Sequence, residues 1–159
     1  SGGCGIAAIQ LAKAFSASHV VTTTSAKNVD LVRDLGADLA IDYHAQKWWE
    51  VLDDGSFDVV YDTMGEAGTG DRAMQKLRPG GYYVTITGAL PLHPREDVHS
   101  KMFINSDSNL DNVVLLDALR QLVEEEKLRM PRIKVTSLSD IPSAFEESAT
   151  GHVVGKLVI

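Results

Sequence analysis

The chain has 159 residues, 44% of them hydrophobic, which is enough for one domain with its own core. Its formal charge of -7 and pI near 5.1 speak against a nucleic-acid surface, and no apolar run approaches the ~18–20 residues that cross a bilayer. The single cysteine, Cys4, excludes an internal disulfide and a multi-cysteine zinc site, and histidines at 19, 44, 93, 99 and 152 do not pair at one helical turn, so no metal site is expected.

The first five residues, Ser1-Gly2-Gly3-Cys4-Gly5, open onto the run Ile6 to Ala14, a loop Ser16-Ala17-Ser18, and then His19 to Thr24. Glycine turn, helix, loop and strand follow in the order of the later part of a dinucleotide-binding βαβ unit. Gly2 and Gly5 have the spacing of the second and third glycines of G-x-G-x-x-G, with Ser1 as the first x. On this reading the first glycine and its strand lie upstream of residue 1. The chain is then expected to be part of a longer protein, to fold poorly by itself, and to show a break in its sheet where that strand belongs. A helix N-terminus has unpaired N–H groups and partial positive charge, and so attracts phosphate. A side chain at Gly2 or Gly3 would hold a pyrophosphate off the backbone. On the glycines alone, the alternative is a Gly-rich tail before an ordinary helix.

Ser25 to Leu35 is expected to be helical, with Ser25 as N-cap, Val29, Leu31, Val32 and Leu35 as the apolar face, and Gly36 as the C-terminal signal. Leu39 to Tyr43 reads as a strand, Gln46 to Leu52 as a short helix, and Phe57 to Asp62 as a strand whose apolar run suits a sheet covered on both faces. A loop with three glycines leads to a helix over Asp71–Leu77, a turn at Arg78-Pro79-Gly80-Gly81, and a strand from Tyr82 to Thr87. After a surface excursion, Met102-Phe103-Ile104 is expected to form a short strand. Leu110 to Lys127 is expected to form a helix striped by Val113, Leu116, Leu119, Leu122 and Val123. Ile133 to Thr136 reads as a strand, Ile141 to Ala149 as a helix capped by Ser139 or Asp140, and Val153 to Ile159 as a closing strand. Strands alternating with helices give an α/β fold with a doubly wound parallel sheet of the Rossmann type.

In a unit that takes NAD, the second strand ends in an acidic residue for the ribose 2′-hydroxyl, about 20 residues beyond the glycines. Here the strand ends Thr22-Thr23-Thr24-Ser25, with Lys27 beyond, and no Asp or Glu occurs between Gly5 and Asn28. Hydroxyls and an ammonium suit a 2′-phosphate, so NADP(H) is the expected cofactor. The alternative is that Ser25 only caps its helix and Lys27 is an ordinary surface residue.

The motifs Gly2-Gly3-Cys4-Gly5 with Ala8-Ile9-Gln10-Leu11-Ala12-Lys13, and Leu35-Gly36-Ala37-Asp38 with Ile41-Asp42-Tyr43, resemble the medium-chain dehydrogenase/reductase superfamily. So do Asp58-Val59-Val60-Tyr61-Asp62, Leu77-Arg78-Pro79-Gly80-Gly81 and the ending Gly151 to Val158. The zinc-independent, quinone-oxidoreductase-like branch is the most similar, and the likeness runs the length of the chain. The resemblance implies a Rossmann domain over residues 1–128, with residues 129–159 returning to a GroES-like catalytic domain. It implies an NADPH-dependent oxidoreductase that passes hydride to a quinone or an α,β-unsaturated carbonyl, working as a cytoplasmic homodimer.

By motif, Gly2, Gly3 and Cys4 should line the pyrophosphate, Cys4 through its backbone. Thr24, Ser25, Lys27 and Tyr43 should surround the 2′-phosphate and adenosine. Thr63 and Met64 should lie along the ribose and pyrophosphate, and Thr87, Gly88, Phe103 and Ile104 should approach the nicotinamide. His152 and Val153 are candidate cofactor contacts in the closing loop. Asp62 reads as a strand-end carboxylate bonded to backbone N–H groups rather than a general base. No catalytic residue is assigned. A zinc-dependent alcohol dehydrogenase of the same superfamily, an enoyl-reductase module of a synthase, and a non-catalytic NADPH-binding module stay open as alternatives.

Overall fold

Gly2 has an extended backbone and serves as N-cap, so α1 (Gly3–Ala14) begins directly behind it. This helix buries Ile6 and Ile9 against Val20, Val32, Leu35 and Ala37, the first of two hydrophobic cores. β1 (Val21–Thr24) and β2 (Leu39–Asp42) pair in parallel, from Val21↔Leu39 to Thr24↔Asp42. The single helix expected over 25–35 is divided: a 3-10 turn, Ala26–Asn28, runs into α2 (Val29–Asp34).

The Leu35-Gly36-Ala37-Asp38 motif has a structural cause. Gly36 holds φ +108°, and a Cβ there would meet Lys13 Cγ at 2.9 Å. Asp38 Oδ2 accepts hydrogen bonds from Lys13 Nζ at 2.7 Å and from the Val20 N–H at 2.6 Å. The Lys13 ammonium, and after it the Val20 N–H, hold the Asp38 carboxyl below the usual carboxylate range. The motif therefore clasps the entry to β1 and β2 onto α1.

The computed structural model describes residues 1–103 and 111–159, in two units: residues 1–44 with 110–159, and residues 45–109. The second unit contains α3 (Trp48–Val51), β3 (Phe57–Asp62), α4 (Thr69–Lys76), β4 (Leu77–Thr85) and β5 (His99–Met102). β3, β4 and β5 form a parallel sheet in that order. The expected turn at residues 78–81 is a bulge inside β4, where the register passes from Phe57↔Leu77 to Val59↔Tyr82. Ala73, Met74, Leu77, Tyr83 and Val98 make this unit's core, with Trp48, Phe57 and Val60 at its margin.

The sequence leads one to expect a sheet covered on both faces, and within this unit the described residues cover one of them. Val59, Tyr61 and Tyr82 are exposed, whereas Gly81, Tyr83 and Thr85 are buried on the side that packs on α4. One layer of helix covers one face of this unit.

α5 (Asp111–Glu124), β6 (Ile133–Val135), α6 (Ile141–Ala149) and β7 (Lys156–Val158) complete the first unit. β6 and β7 pair in parallel. The stripe expected on α5 is not buried: Val113, Leu116 and Val123 are all more than half exposed, because the described residues leave that face uncovered. Pro142 occupies the first turn of α6, where its missing N–H costs nothing.

Among the described residues the strands thus form α/β structure with parallel pairing throughout, in three sheets. Among the described residues β1 ladders only with β2, and β3 only with β4.

Candidate dinucleotide site

The first turn of α1 carries no side-chain cap. The first intrahelical bond runs from the Ile6 N–H to the Gly2 carbonyl, so the N–H groups of Cys4 and Gly5 have no acceptor within the helix. Gly2 and Cys4 are exposed. The closing loop lies against this turn. Gly2 and Gly155 form a parallel bridge, and the Gly155 N–H donates to the Ser1 carbonyl at 3.3 Å. A Cβ on Gly3 would meet the Gly155 carbonyl oxygen and Lys156 Cε, each at 3.3 Å. A cavity of about 270 Å³ is lined here by Gly3, Ser148, Val153, Gly155, Lys156 and Leu157. Val153 is therefore at the turn. His152 is exposed, and its backbone N–H is held by Thr150 Oγ1 at 3.2 Å.

The carboxyl end of β1 gathers Thr24, Ser25 and Tyr43. The Tyr43 N–H donates to the Thr24 carbonyl at 3.2 Å, and the Tyr43 ring stands half-exposed against His44. Thr24 is 1% exposed, and its hydroxyl oxygen has no hydrogen-bond partner among the described residues. Asp42, its register partner, turns instead to the His44 N–H at 3.1 Å. Ser25 does not cap the turn through its side chain. Its oxygen accepts a hydrogen bond from Asn28 Nδ2 at 3.1 Å, and the same nitrogen donates to Ser1 Oγ at 3.1 Å. Lys27 is exposed, on the 3-10 turn between Ser25 and Asn28.

In the second unit, Asp62 ends β3 buried. Its Oδ1 accepts the N–H groups of Met64 (2.9 Å) and Gly65 (3.0 Å), as expected of a structural strand-end carboxylate. The Tyr83 hydroxyl shares its proton between the Ala89 carbonyl (2.7 Å) and Asp62 Oδ2 (3.1 Å). Burial first, and then the Asp62 charge, push this phenol well above its ordinary range. Thr85 Oγ1 joins Thr87 Oγ1 at 2.9 Å and accepts the Thr87 N–H at 3.1 Å. Gly65 holds φ +71°, and a Cβ there would lie 2.4 Å from Thr87 Oγ1. The loop with Thr63 and Met64 and the loop with Thr87 and Gly88 are thus fastened to one another. Met64 is exposed, and so is Phe103, whose N–H donates to the Thr85 carbonyl at 2.8 Å. Ile104 lies outside the described residues.

The structure brings together Gly2, Gly3 and Val153, groups Thr24, Ser25 and Tyr43, and in the second unit joins Thr63–Met64 with Thr87–Gly88. Sequence reasoning passed over Asn28, Lys156 and Tyr83. Lys156 had a local signal, a cation directly behind a glycine at the mouth of the closing strand. The other two act through partners that their own neighbourhood in sequence does not suggest.

An uncapped helix start on glycine, a serine hydroxyl at the strand end and a cation on the adjoining turn are groups of the kind that favour an anion. Among the described residues, no group of three or more His, Cys, Asp or Glu is placed to hold a metal ion.

The chain is 37% identical to the 2-methylene-furan-3-one reductase of Solanum lycopersicum and 32% identical to an NADPH-dependent alkenal/one oxidoreductase, chloroplastic, of Arabidopsis thaliana. All of the chain and 38% of each relative are matched. Its structure is similar to the quinone oxidoreductase from Coxiella burnetii, with a TM-score of 0.78 and 30% identity over 98% of this chain and 49% of that one. The chain spans about two-fifths of the length of these curated relatives. The family model described as zinc-binding dehydrogenase matches residues 35–159. From its order of motifs, its parallel α/β architecture and this match, the chain belongs to the zinc-binding dehydrogenase family.

Proposed function

We infer that the protein is an NADPH-dependent oxidoreductase that delivers hydride to a quinone or an α,β-unsaturated carbonyl compound. The observation that carries this reading is the end of β1. It offers the hydroxyls of Thr24 and Ser25 and the Lys27 ammonium, and the strand ends without a carboxylate, where an NAD-type unit places one. The names of the tomato and Arabidopsis relatives support the reaction class.

In this reading Gly2, Gly3 and the Cys4 backbone receive the pyrophosphate, and Thr24, Ser25, Lys27 and Tyr43 receive the 2′-phosphate and adenosine. His152 and Val153 close over the turn. In the second unit, Thr63, Met64, Thr87, Gly88, Phe103 and Ile104 take the ribose and nicotinamide. Bound NADPH supplies the hydride, and the chain's residues bind, orient and shield it. Residues 1–128 act as the nucleotide-binding part, and residues 129–159 go with a catalytic domain. A cytoplasmic homodimer belongs to the same reading.

The test is fluorescence titration of the full-length protein with NADPH and with NADH. Tight, selective NADPH binding followed by turnover across a panel of quinones and enones is expected. Equal or tighter NADH binding overturns the cofactor, and binding without turnover overturns the enzyme.

A further inference from the structure

The geometry points to Asn28 as a positioning residue that sets the preference for a phosphorylated cofactor by turning the hydroxyl of Ser25 into a dedicated donor. This rests on the NADPH reading above. Asn28 is 5% exposed and sits at the end of the 3-10 turn, just before α2. Its side chain is spent on two hydroxyls: Nδ2 donates to Ser1 Oγ and to Ser25 Oγ, each at 3.1 Å.

A serine hydroxyl has one proton and two lone pairs. When Asn28 donates into a lone pair of Ser25 Oγ, the Ser25 proton cannot point back at Asn28. It stays free for another acceptor. A phosphate monoester dianion at neutral pH only accepts, so a hydroxyl in that state is matched to it, and one whose proton is taken up within the protein is not. The second observation is Thr24 Oγ1, one residue before Ser25, buried and without a partner among the described residues. Ser25 Oγ therefore keeps donor capacity that no described residue takes up, while the Thr24 hydroxyl is enclosed by the fold. Ser1 stands in the glycine turn, where any contribution is common to both cofactors. Ser25 stands where the two cofactors differ, so the ratio of their affinities isolates its part.

Asn28→Asp reverses the chemistry at unchanged size. A carboxylate accepts from Ser25 instead of donating to it, and adds a negative charge beside the site. Asn28→Ala removes the donor without adding charge, and keeps the test available where the aspartate disturbs folding. Dissociation constants for NADPH and NADH are measured on the full-length protein, on both variants, on Ser25→Ala and on Ser25→Ala/Asn28→Ala.

Asn28→Asp is expected to weaken NADPH by roughly tenfold or more while NADH stays within about threefold, with Asn28→Ala intermediate. In the Ser25→Ala background, Asn28→Ala should add no further loss of selectivity. Parallel losses for both cofactors in Asn28→Ala, selectivity unchanged in either variant that still binds NADH, or a full effect of Asn28→Ala without Ser25 each overturn the inference. A wild-type protein with no preference for NADPH overturns the cofactor reading and this inference together. A preference that survives the Asn28 substitutions overturns the inference alone.

Discussion

Gln10 and Arg129 are joined by a reciprocal pair of hydrogen bonds: Gln10 Nε2 donates to the Arg129 carbonyl at 2.8 Å, and the Arg129 N–H donates to Gln10 Oε1 at 2.9 Å. The side-chain amide behaves as a strand neighbour would, satisfying both backbone groups of one residue. Gln10 is buried in the middle of α1, so this pair fixes the stretch between α5 and β6 to the first helix. Gln10→Leu keeps the volume but leaves two backbone groups short of partners. It is expected to lower stability by about 2 kcal/mol, read from the midpoint of urea unfolding. No change would mean that water replaces the amide.

Tyr83 and Asp62 fasten the loops after β3 and β4. Tyr83→Phe removes one buried hydroxyl and is expected to cost about 1–2 kcal/mol, because the Ala89 carbonyl loses its donor. Asp62→Ala, which frees the Met64 and Gly65 N–H groups as well, should cost more. If these loops take the nicotinamide part of NADPH, Asp62→Ala also raises the KM for NADPH. Thermal unfolding and steady-state kinetics of the two variants check both statements.

Gly155 combines φ +84° with an approach that no side chain can share: a Cβ there would lie 2.0 Å from the Arg132 carbonyl oxygen. The left-handed conformation alone costs an alanine roughly 1–2 kcal/mol, and the backbone collision adds to it. Gly155→Ala is expected to lower stability by at least about 3 kcal/mol and to loosen the bridge to Gly2. Gly55→Ala is the control. Gly55 is also left-handed, at φ +64°, but has no atom within 4 Å of the added carbon, so only the smaller conformational cost should appear.

The Asp38 clasp predicts an acid limb. Its folded-state pKa lies below the ordinary 3.8, chiefly through the Lys13 hydrogen bond and then the Val20 N–H. A depressed carboxyl contributes stability that is present above 3.8 and is lost as the pH falls through the lowered value. Asp38→Asn should be less stable than the wild type at neutral pH, and the difference should shrink as the pH is lowered below 3.8. Melting temperatures of both proteins across that range provide the check. A difference independent of pH would assign the effect to packing.

Lys27 stands on the turn beside Ser25, exposed, and among the described residues no carboxylate pairs with it. Lys27→Glu reverses the charge there. About tenfold weaker NADPH binding, with NADH little changed, is expected, since 1.4 kcal/mol corresponds to tenfold. The difference should diminish with added salt, as an exposed charge requires. Titrations at two ionic strengths measure it.

The elements that were legible were those whose cause is local. The helix behind the glycine turn, the threonine strand and the Phe57–Asp62 strand follow from period and turn chemistry, and stand within three residues of the expected limits. Elements whose burial depends on something else were harder to read. α5 has a helical stripe, yet that stripe is exposed, because a period shows which residues share a face and not what covers it. The bulge at residues 78–81 reads as a turn in sequence because Pro-Gly-Gly is turn chemistry. Only pairing with β3 makes it part of a strand. In the candidate site, Ser25 stands at the expected N-cap position, but its side chain accepts from Asn28 instead of capping the turn. An N-cap is a common use of serine, whereas a bond from Asn28 needs a 3-10 turn to bring the two together. Gln10 gave no sign at all, since its partner lies 119 residues away.

The bridge between Gly2 and Gly155 makes the glycine turn a late element of folding. Its two halves lie far apart in sequence, so the backing of the turn waits for a long loop to close, at an entropic cost that grows slowly with length. The turn ahead of α1 therefore takes its final shape after the closing loop has docked, and a substitution at Gly155 reaches the first helix from the opposite end of the sequence.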